Sequence, residues 1–265
     1  MNHHAKLFKL PLLASGLLLA TLSYSPPLQA ENVVPTAEPT TEQTEEQTRA
    51  FEEAVRKYLL ENPEVIIESL TRYQQLQAQR ESELKDQAIS KNAEQLHNDP
   101  ASPVLGNPDG DVVLVEFFDY RCPYCHKASK IIQALIEDDP NLKVVMKEFP
   151  ILGPESVIAA RAALAAQKQG KYAEYHFALM ENAKDLSQNR LLDLAADLGL
   201  DKQQFEADMK SAEIGETILK NRSLAEKVGA EGTPAFILGT RSLSPGTSFE
   251  TFQQMISDLR SSGNS

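Results

Sequence analysis

The two cysteines of this 265-residue chain, Cys122 and Cys125, are separated by a proline and a tyrosine. Residues 127–136 follow with apolar positions at helical spacing, and Pro123 stands where the first turn of a helix accepts proline. We therefore expect Cys122 at the exposed N-terminus of a helix, where the helix dipole and free N–H groups stabilise a thiolate. Cys125 lies about one turn further on and could close a disulfide with it. This pattern indicates a centre for thiol–disulfide exchange.

Strands must position these cysteines. Residues 112–118 are nearly all branched or aromatic, which is typical of a strand covered by helices on both faces. Residues 141–149 predict a second strand, so the chain forms a right-handed β–α–β unit around the cysteines. Four further elements complete the prediction: an edge strand at Val104–Leu105, a strand at 235–238, its hairpin partner at 241–243, and a last helix at 249–260 capped by Ser248.

Between these strands the chain is predicted to be helical. Residues 151–230 contain five stretches with helical periodicity, separated by turn or cap residues such as Gly170, Ser187 and Gly199. We expect helices near residues 157–166, 171–181, 190–198, 201–209 and 214–228. The fold class is therefore α/β with an all-helical insertion.

The first 30 residues have the features of a secretory signal peptide. Lys6 and Lys9 precede an apolar stretch at residues 10–22, and a small residue, Ala30, ends the expected cleavage region. The apolar stretch is shorter than the roughly 20 residues that a membrane span needs. An uncleaved anchor is the alternative interpretation. Cleavage would release the protein into an oxidising compartment, which we expect to be a bacterial periplasm.

Residues 31–47 are rich in Thr, Glu, Pro and Gln and predict a disordered acidic linker. Helical periodicity begins near Thr48, and Asn62–Pro63 suits the start of a second helix. The apolar stripe of these helices, residues 59–76, could pack on the main domain or pair with the same stripe of other copies of the chain.

The polar residues 79–97 favour self-association of this segment, because they separate the stripe from the domain. We therefore expect an N-terminal helical oligomerisation segment at 48–98, acting through residues 51–97. The catalytic domain is expected at 99–265.

The charge balance excludes one class of partner. The chain has 38 acidic and 26 basic residues and a net charge of −12. Removal of residues 1–30 makes it still more negative. A nucleic-acid partner needs a basic surface, so none is expected.

The cysteine motif, the helical insertion and the sequence Gly-Thr-Pro-Ala-Phe at 232–236 together resemble the DsbA-like branch of the thioredoxin superfamily. Residues 58–65 and 102–120 are similar to the suppressor-of-copper-sensitivity protein C group within it. This resemblance covers roughly residues 51–259. It implies a thioredoxin fold with a helical insertion, preceded by a helical N-terminal extension.

The resemblance also implies roles for the motif residues. Cys122 corresponds to the nucleophile that forms a mixed disulfide with a substrate, and Cys125 to the buried resolving thiol. Pro123 and Tyr124 occupy the dipeptide that tunes thiolate stability, and His126 is expected to modulate the thiolate from the helix start.

Three further residues are assigned by resemblance. Glu116 corresponds to a buried acid that moves protons to or from Cys125, unless it is simply a glutamate at the sheet edge. Burial should raise its pKa. Pro234 corresponds to a cis-proline facing the disulfide, with Thr233 before it offering its backbone to a bound peptide. An ordinary trans turn is the alternative.

The two cysteines could instead form a purely structural disulfide, ligate zinc or attach a haem. A structural disulfide that closes so short a loop would contribute only about 2 kcal/mol to the free energy of unfolding. Zinc needs about four ligands, and His97, His126 and His176 lie in separate predicted elements. Cys122 to His126 also matches a haem attachment motif, with Met146, Met180 or Met209 as second axial ligand, but the Thr-Pro element has no role in a cytochrome.

We therefore predict a periplasmic thiol–disulfide oxidoreductase without a cofactor or resident metal, acting as an isomerase or reductase on cysteine-containing exported proteins. A membrane redox partner would reset its active site. Thr233 before the proline resembles isomerases and reductases more than the strong oxidant. A monomeric dithiol oxidant and a Cu(I)-binding protein, which two thiols would serve, are the alternatives.

Overall fold

The computed structural model describes residues 41–181 and 185–263. The expected signal peptide, residues 1–30, and the first part of the acidic linker, residues 31–40, lie outside these ranges. Within them, no helix is long and apolar enough to span a bilayer. The chain divides into two units after Pro63.

In the first unit, helix α1 spans Thr41–Glu61. It begins inside the segment that the sequence predicts to be disordered, so that prediction is wrong for residues 41–47. Glutamate and glutamine are good helix formers. These polar residues can therefore form the first turns of a helix whose later turns contain the apolar residues. The predicted break at Asn62–Pro63 is confirmed: the Asn62 N–H and side-chain amide both donate to the Tyr58 carbonyl at the end of α1.

The second unit begins with α2 (Glu64–Lys91) and α3 (Ala93–His97). A mixed sheet follows, with the strand order β1-β3-β2-β4-β5 among the described residues. The strands are β1 (Val104–Gly106), β2 (Val112–Phe118), β3 (Leu142–Glu148), β4 (Ala235–Leu238) and β5 (Arg241–Leu243). The central pair β2 and β3 is parallel, and the other pairs are antiparallel.

The predicted β–α–β unit is confirmed, with α4 (Pro123–Asp138) between β2 and β3. The helical insertion is also confirmed in the described residues. It contains α5 (Pro154–Lys168), α6 (Tyr172–Glu181), α7 (Gln188–Asp197), α8 (Lys202–Met209) and α9 (Ala212–Val228). The final helix is α10 (Phe249–Ser261), whose predicted cap Ser248 accepts from the Thr251 N–H.

The two faces of the sheet carry two cores. One face packs on α4 and the insertion through side chains such as Leu114, Phe118 and Met146. The opposite face, with Val115, Phe117 and Val145, contacts a cluster from α2, α3 and α9 that includes Ile89, Leu96, Leu224 and Val228.

The polar segment 79–97 is therefore not a spacer between the extension and the domain. Ile89 and Leu96 are fully buried against the sheet. The sequence contains few hydrophobic residues there, but these two are spaced to reach the same core. The end of α2 and all of α3 belong to the folded domain.

A buried lysine also ties α3 to the sheet. The Lys147 ammonium donates to the Gln95 carbonyl at 2.6 Å and to the Ser102 hydroxyl at 2.7 Å, and it lies 3.6 Å from an Asp99 carboxylate oxygen. Burial lowers the pKa of Lys147 to about 8, although Asp99 opposes this shift. The three contacts connect β3 with the segment that leads from α3 to β1.

Replacing Lys147 with alanine should lower the free energy of unfolding by about 3 kcal/mol, because it leaves the Gln95 carbonyl and the Asp99 carboxylate without this partner. Amides of α3 should lose protection in hydrogen exchange. Lys143→Ala is the matched control on the same strand, since the Lys143 ammonium contacts the exposed Asn98 side chain at 3.3 Å. Equal losses for the two variants would contradict the role of Lys147.

Candidate active site

The cysteine motif lies at the junction of β2 and α4, at the carboxyl end of the central strand. Asp119 follows β2, and the Asp119 carbonyl accepts a hydrogen bond from the Cys122 N–H at 3.0 Å. Cys122 has extended backbone angles (φ −81°, ψ 116°) and occupies the N-cap position, and α4 begins at Pro123. Pro123 has no N–H to satisfy in this first turn, as the sequence predicts.

The Cys122 side chain is less accessible than predicted. Only 4% of the residue is exposed, because the Cys122 thiol lies against the backbone of Thr233 and donates to its carbonyl at 3.1 Å. The residues on either side of it in the chain, Arg121 and Pro123, are exposed. The expected exposed thiol is therefore corrected to a thiol covered by a distant loop at an otherwise exposed helix tip.

Cys125 and Glu116 lie deeper in the same region. Cys125 is fully buried, Glu116 is 1% exposed, and both cysteines are free thiols. Burial raises the pKa of Cys125, and the nearby Glu116 carboxylate raises it further. Burial also raises the pKa of Glu116 well above its usual value, with a contribution from Cys122. Neither Glu116 oxygen has a hydrogen-bond partner among the described residues. A proton is therefore favoured on both groups.

Strand pairing explains how Thr233 and Pro234 reach the cysteines. In the antiparallel ladder between β4 and β2, Ala235 pairs with Phe117 and Phe236 pairs with Glu116. The two residues before β4 therefore lie beside the carboxyl end of β2, where the motif begins. The Thr233–Pro234 peptide bond is cis, Pro234 is buried and Thr233 is half-buried.

The remaining motif residues face different surroundings. Tyr124 is 66% exposed, and the Lys127 ammonium lies 5.8 Å from the centroid of its ring. His126 is half-buried, and its Nε2 lies 2.6 Å from the Tyr120 carbonyl oxygen. Since a carbonyl only accepts, that Nε2 carries the hydrogen. His126 therefore fixes the backbone just before the motif.

Asp119 was missed by the sequence interpretation. It is 1% exposed, and its carboxylate accepts from the backbone N–H groups of Arg121 (2.8 Å), Ile151 (2.8 Å) and Leu152 (2.9 Å). It thus joins the β2–α4 junction to the loop between β3 and α5. The available signal was an aspartate directly after a buried strand, a position that favours side-chain to backbone hydrogen bonds.

A buried polar cluster next to the junction was also missed. The Tyr120 hydroxyl lies 3.1 Å from a Glu148 carboxyl oxygen and 3.0 Å from Nδ1 of His176, and Tyr172 donates to the same Glu148 oxygen at 3.0 Å. Burial raises the pKa of Glu148 and of both tyrosines and lowers that of His176 to about 3. His176, which the sequence analysis considered only in arguing against a zinc site, is therefore a neutral core residue at pH 7.

The described residues contain no group of three or more His, Cys, Asp or Glu side chains that could hold a metal ion. His97, His126 and His176 are on α3, α4 and α6, three separate helices. The reactive side chains that the structure brings together at this site are the two cysteine thiols and the Glu116 carboxyl group.

Comparison with known families agrees with this geometry. The family described as DSBA-like thioredoxin domain matches residues 113–257, which is more than half of the chain. The chain belongs to the DSBA-like thioredoxin domain family. A second match, described as the Copper resistance protein ScsC N-terminal domain, covers residues 47–80 of this DSBA-like protein. The resemblance inferred from the sequence is confirmed by both matches.

Two solved structures illustrate the similarity. A thioredoxin-like oxidoreductase from Silicibacter pomeroyi is 43% identical, with a TM-score of 0.62, over 64% of this chain and 98% of its own. A linker-deletion mutant of Proteus mirabilis ScsC is 26% identical, with a TM-score of 0.62, over 86% of this chain and 99% of its own. The second match extends into the N-terminal region.

Curated relatives share only part of their length with this DSBA-like chain. The Na(+)/H(+) antiporter NhaA 1 of Salinispora arenicola is 31% identical over 140 residues, or 52% of this chain. The chain spans about a fifth of the length of that relative, 22%.

Proposed function

We propose that this protein is a periplasmic thiol–disulfide oxidoreductase that isomerises or reduces disulfides of exported proteins. The observation that carries the proposal is the placement of two free thiols at the tip of α4, one against the Thr233 carbonyl and one near the buried Glu116. The features of residues 1–30 support export to the periplasm.

In the first step of the reducing direction, the Cys122 thiolate attacks one sulfur of a client disulfide. A Cys122–client disulfide forms, the client disulfide breaks, and its second sulfur leaves as a thiolate that takes a proton from solvent. The cis Thr233–Pro234 segment lies against Cys122, so its backbone is placed to pair with an extended client strand next to the reacting sulfurs.

In the second step, Cys125 resolves the mixed disulfide. The ionised form of Glu116 accepts the Cys125 proton, the resulting thiolate attacks the Cys122 sulfur, and the client leaves as a thiolate. The client has then gained two electrons, and Cys122 and Cys125 are joined by a disulfide. Glu116 suits this role because its pKa and that of Cys125 are raised together by the same burial.

Isomerisation follows when another client thiol attacks the mixed disulfide before Cys125 does. The client then changes its pairing without net oxidation, and Cys122 is released as a thiolate. The reverse of the reducing sequence, starting from an oxidised Cys122–Cys125 pair, gives net oxidation of client thiols. A membrane redox partner would be needed to reset the pair after either net reaction.

The redox equilibrium of the cysteine pair with glutathione tests the activity, together with reactivation of scrambled ribonuclease. We expect complete, reversible exchange with glutathione and recovery of ribonuclease activity. Failure of the purified protein to exchange with glutathione would exclude the oxidoreductase function. A strongly oxidising equilibrium without ribonuclease reactivation would favour the alternative of a dithiol oxidant.

We also propose that the N-terminal helices join copies of the chain. In α1, Phe51 (70% exposed), Val55 (39%) and Tyr58 (56%) recur at spacings of four and three residues. In α2, residues 66, 70 and 73 repeat this spacing with 53%, 54% and 59% exposure. Apolar side chains repeated in this way on exposed helices suit a helical bundle of several chains. Several active sites in one assembly would favour isomerisation.

Ile66→Glu combined with Leu70→Glu should convert the assembly to monomers, because charges would replace the apolar stripe of α2. Sedimentation velocity measures the mass, and ribonuclease reactivation should fall with it. The control is Leu219→Glu on α9, because the Leu219 side chain is exposed as well, to 66%. If the wild-type protein is a monomer, this proposal is wrong and the alternative of a monomeric dithiol oxidant is favoured.

The copper alternative has less support. Two thiols can bind Cu(I), but the described residues contain no group of three or more His, Cys, Asp or Glu side chains that could hold a metal ion.

Our proposed division of the chain is an assembly segment at residues 48–98 and a catalytic domain at residues 99–265. Ile89 and Leu96, at the end of the assembly segment, also contribute to the core of the catalytic domain.

A further inference from the structure

Four buried titratable side chains lie next to the β2–α4 junction without a role in the proposed mechanism. Tyr120 and Tyr172 both donate to Oε1 of Glu148, and Nδ1 of His176 lies 3.0 Å from the Tyr120 hydroxyl. We call these four residues the Glu148 cluster. Oε2 of Glu148 and Nε2 of His176 have no hydrogen-bond partner among the described residues. Buried polar groups without partners are rare, so the cluster needs an explanation beyond packing.

Strand register places Glu148 on the same face of the sheet as Glu116. On the adjacent parallel strands, Phe118 pairs with Glu148, and Glu116 pairs with Met146. Because side chains alternate between the two faces of a strand, these four side chains all point to one face. Phe118 and Met146 belong to the same core cluster as Cys125. The two buried glutamates therefore lie on the side of the sheet that carries the resolving thiol.

The two glutamates differ in the hydrogen bonds that they receive. Two hydroxyl groups donate to Glu148, whereas neither Glu116 oxygen has a partner among the described residues. Burial raises the pKa of both carboxyl groups, and the two hydroxyl donors act in the opposite direction on Glu148. Hydrogen bonds to the charged form of an acid favour its ionisation. When the pair holds one negative charge, we therefore expect that charge on Glu148.

His176 supports this charge on Glu148. The Tyr120 hydroxyl has one hydrogen, which it donates to Glu148, so its oxygen is left to accept. Nδ1 of the neutral His176 then carries the hydrogen and donates it to Tyr120. His176 thus orients the Tyr120 hydroxyl towards the carboxylate without adding a charge of its own.

Other acidic groups act on the same carboxyl. Besides burial, the charges of Asp119 and Glu116 raise the pKa of Glu148. On α9, Asn221 donates to the Glu148 backbone carbonyl at 3.1 Å and carries no charge. Because the repulsion between two carboxylates is mutual, an ionised Glu148 opposes the ionisation of Glu116.

We propose that Glu148 is a positioning residue that controls proton transfer between Cys125 and Glu116. The negative charge of Glu148, stabilised by its two hydroxyl donors, keeps the proton on Glu116 and sets the pH at which Glu116 becomes a proton acceptor. In the transfer itself, the proton moves from the Cys125 sulfur to the Glu116 carboxylate, and Glu148 keeps its charge. This inference rests on the proposed function and adds the group that controls its proton acceptor.

The titration of Glu116 can be followed in the reduced protein without any client. The infrared C=O band of its protonated carboxyl group disappears as Glu116 ionises, and the absence of this band from Glu116→Gln identifies it. Glu148→Gln keeps the size of the side chain and an oxygen that accepts from both tyrosines, but it carries no charge. The midpoint of the Glu116 band should therefore move to lower pH by about one unit or more in this variant.

The same shift is expected in the resolution step. Single-turnover reactions between about pH 5 and 9 give the decay rate of the Cys122–client disulfide. This rate should rise with pH at a lower midpoint in Glu148→Gln than in the wild type. A purely structural contribution of Glu148 would instead lower the rate by the same factor at every pH, and that result would overturn the inference.

Two tyrosine variants form a matched pair on α6. Tyr172→Phe removes one donor to Glu148 and keeps the carboxyl group, whereas Tyr175→Phe removes a buried hydroxyl that donates to the Leu191 carbonyl at 2.9 Å. The first should shift the Glu116 midpoint in the same direction as Glu148→Gln, by a smaller amount. The second should leave the midpoint unchanged. This pair tests the inference even if Glu148→Gln does not fold.

The outcomes separate the two proposals. An unchanged Glu116 midpoint in Glu148→Gln, with glutathione exchange intact, would overturn this inference alone. Equal shifts in Tyr172→Phe and Tyr175→Phe would also overturn it, because the effect would then not require contact with Glu148. Loss of exchange with glutathione in the wild-type protein would instead exclude the proposed function.

Discussion

Replacing Cys122 with serine is expected to abolish insulin reduction and ribonuclease reactivation, with rates falling by about a thousandfold or more. A hydroxyl cannot form the mixed disulfide, so no step of the exchange can begin. The fold should survive, because a serine hydroxyl can still donate to the Thr233 carbonyl that the Cys122 thiol now contacts at 3.1 Å. Turbidity of reduced insulin and recovery of ribonuclease activity measure the two reactions.

Cys125→Ser is the matched variant for this experiment. It keeps the attacking sulfur but removes the resolving one, so a covalent adduct with the client should accumulate. Mass spectrometry without reductant should detect this adduct, and dithiothreitol should release it. Cys122→Ser should form none. Residual exchange in Cys122→Ser above that of a double-serine variant would show that Cys125 attacks clients directly, contrary to the proposed order.

Local pattern was sufficient to predict the elements that carry the thiols. The apolar run 112–118 admits only one buried strand, and Pro123 can only start a helix there, so β2 and α4 follow from neighbouring residues. The five helices of the insertion were also predictable, since each has its own periodicity and a cap or turn at its end.

Contacts between distant residues were not predictable in the same way. Ile89 and Leu96 looked like isolated hydrophobic residues in a polar segment, and only the sheet face that they cover makes them core residues. The burial of Cys122 depends on Thr233, which is 111 positions later in the chain. No local pattern around the cysteine reports that contact.

The role of Asp119 shows the same limit at the active site. Its position after β2 suggested only the end of a strand, whereas its carboxylate holds Ile151 and Leu152 from a loop more than 30 positions away. Glu116 was easier to place, because the apolar residues on either side of it favoured its burial over a position at the sheet edge. The environment of a titratable residue inside an apolar run is thus easier to predict from the sequence than that of a titratable residue at the end of the run.

Glu116→Gln should slow the resolution of the mixed disulfide by roughly 10- to 100-fold at neutral pH, because glutamine cannot accept the Cys125 proton. Quenched single-turnover reactions, in which the decay of the Cys122–client disulfide is followed, measure this step directly. Glu116→Asp retains a carboxyl group and should recover part of the rate. A decay rate equal to that of the wild type would mean that Cys125 loses its proton by another route.

The same substitution should stabilise the fold, and the gain should increase with pH. Burial raises the pKa of Glu116 above its usual value of 4.5, so above about pH 4.5 the unfolded chain releases this proton while the folded protein keeps it. Wild-type stability therefore loses up to about 1.4 kcal/mol per pH unit from this group until the pH passes the folded pKa.

Glu116→Gln removes this pH-dependent loss of stability. The free energy of urea unfolding of the variant should therefore exceed that of the wild type by little near pH 4 and by more at pH 7. Glu137→Gln, which removes an exposed carboxylate from α4, controls for the change in net charge. An advantage that stays constant over this pH range would mean that the pKa of Glu116 is the same in the folded and unfolded chains. A carboxylate with so low a pKa would be a poor base for the Cys125 proton, and the second step of the proposed mechanism would need another group to accept it.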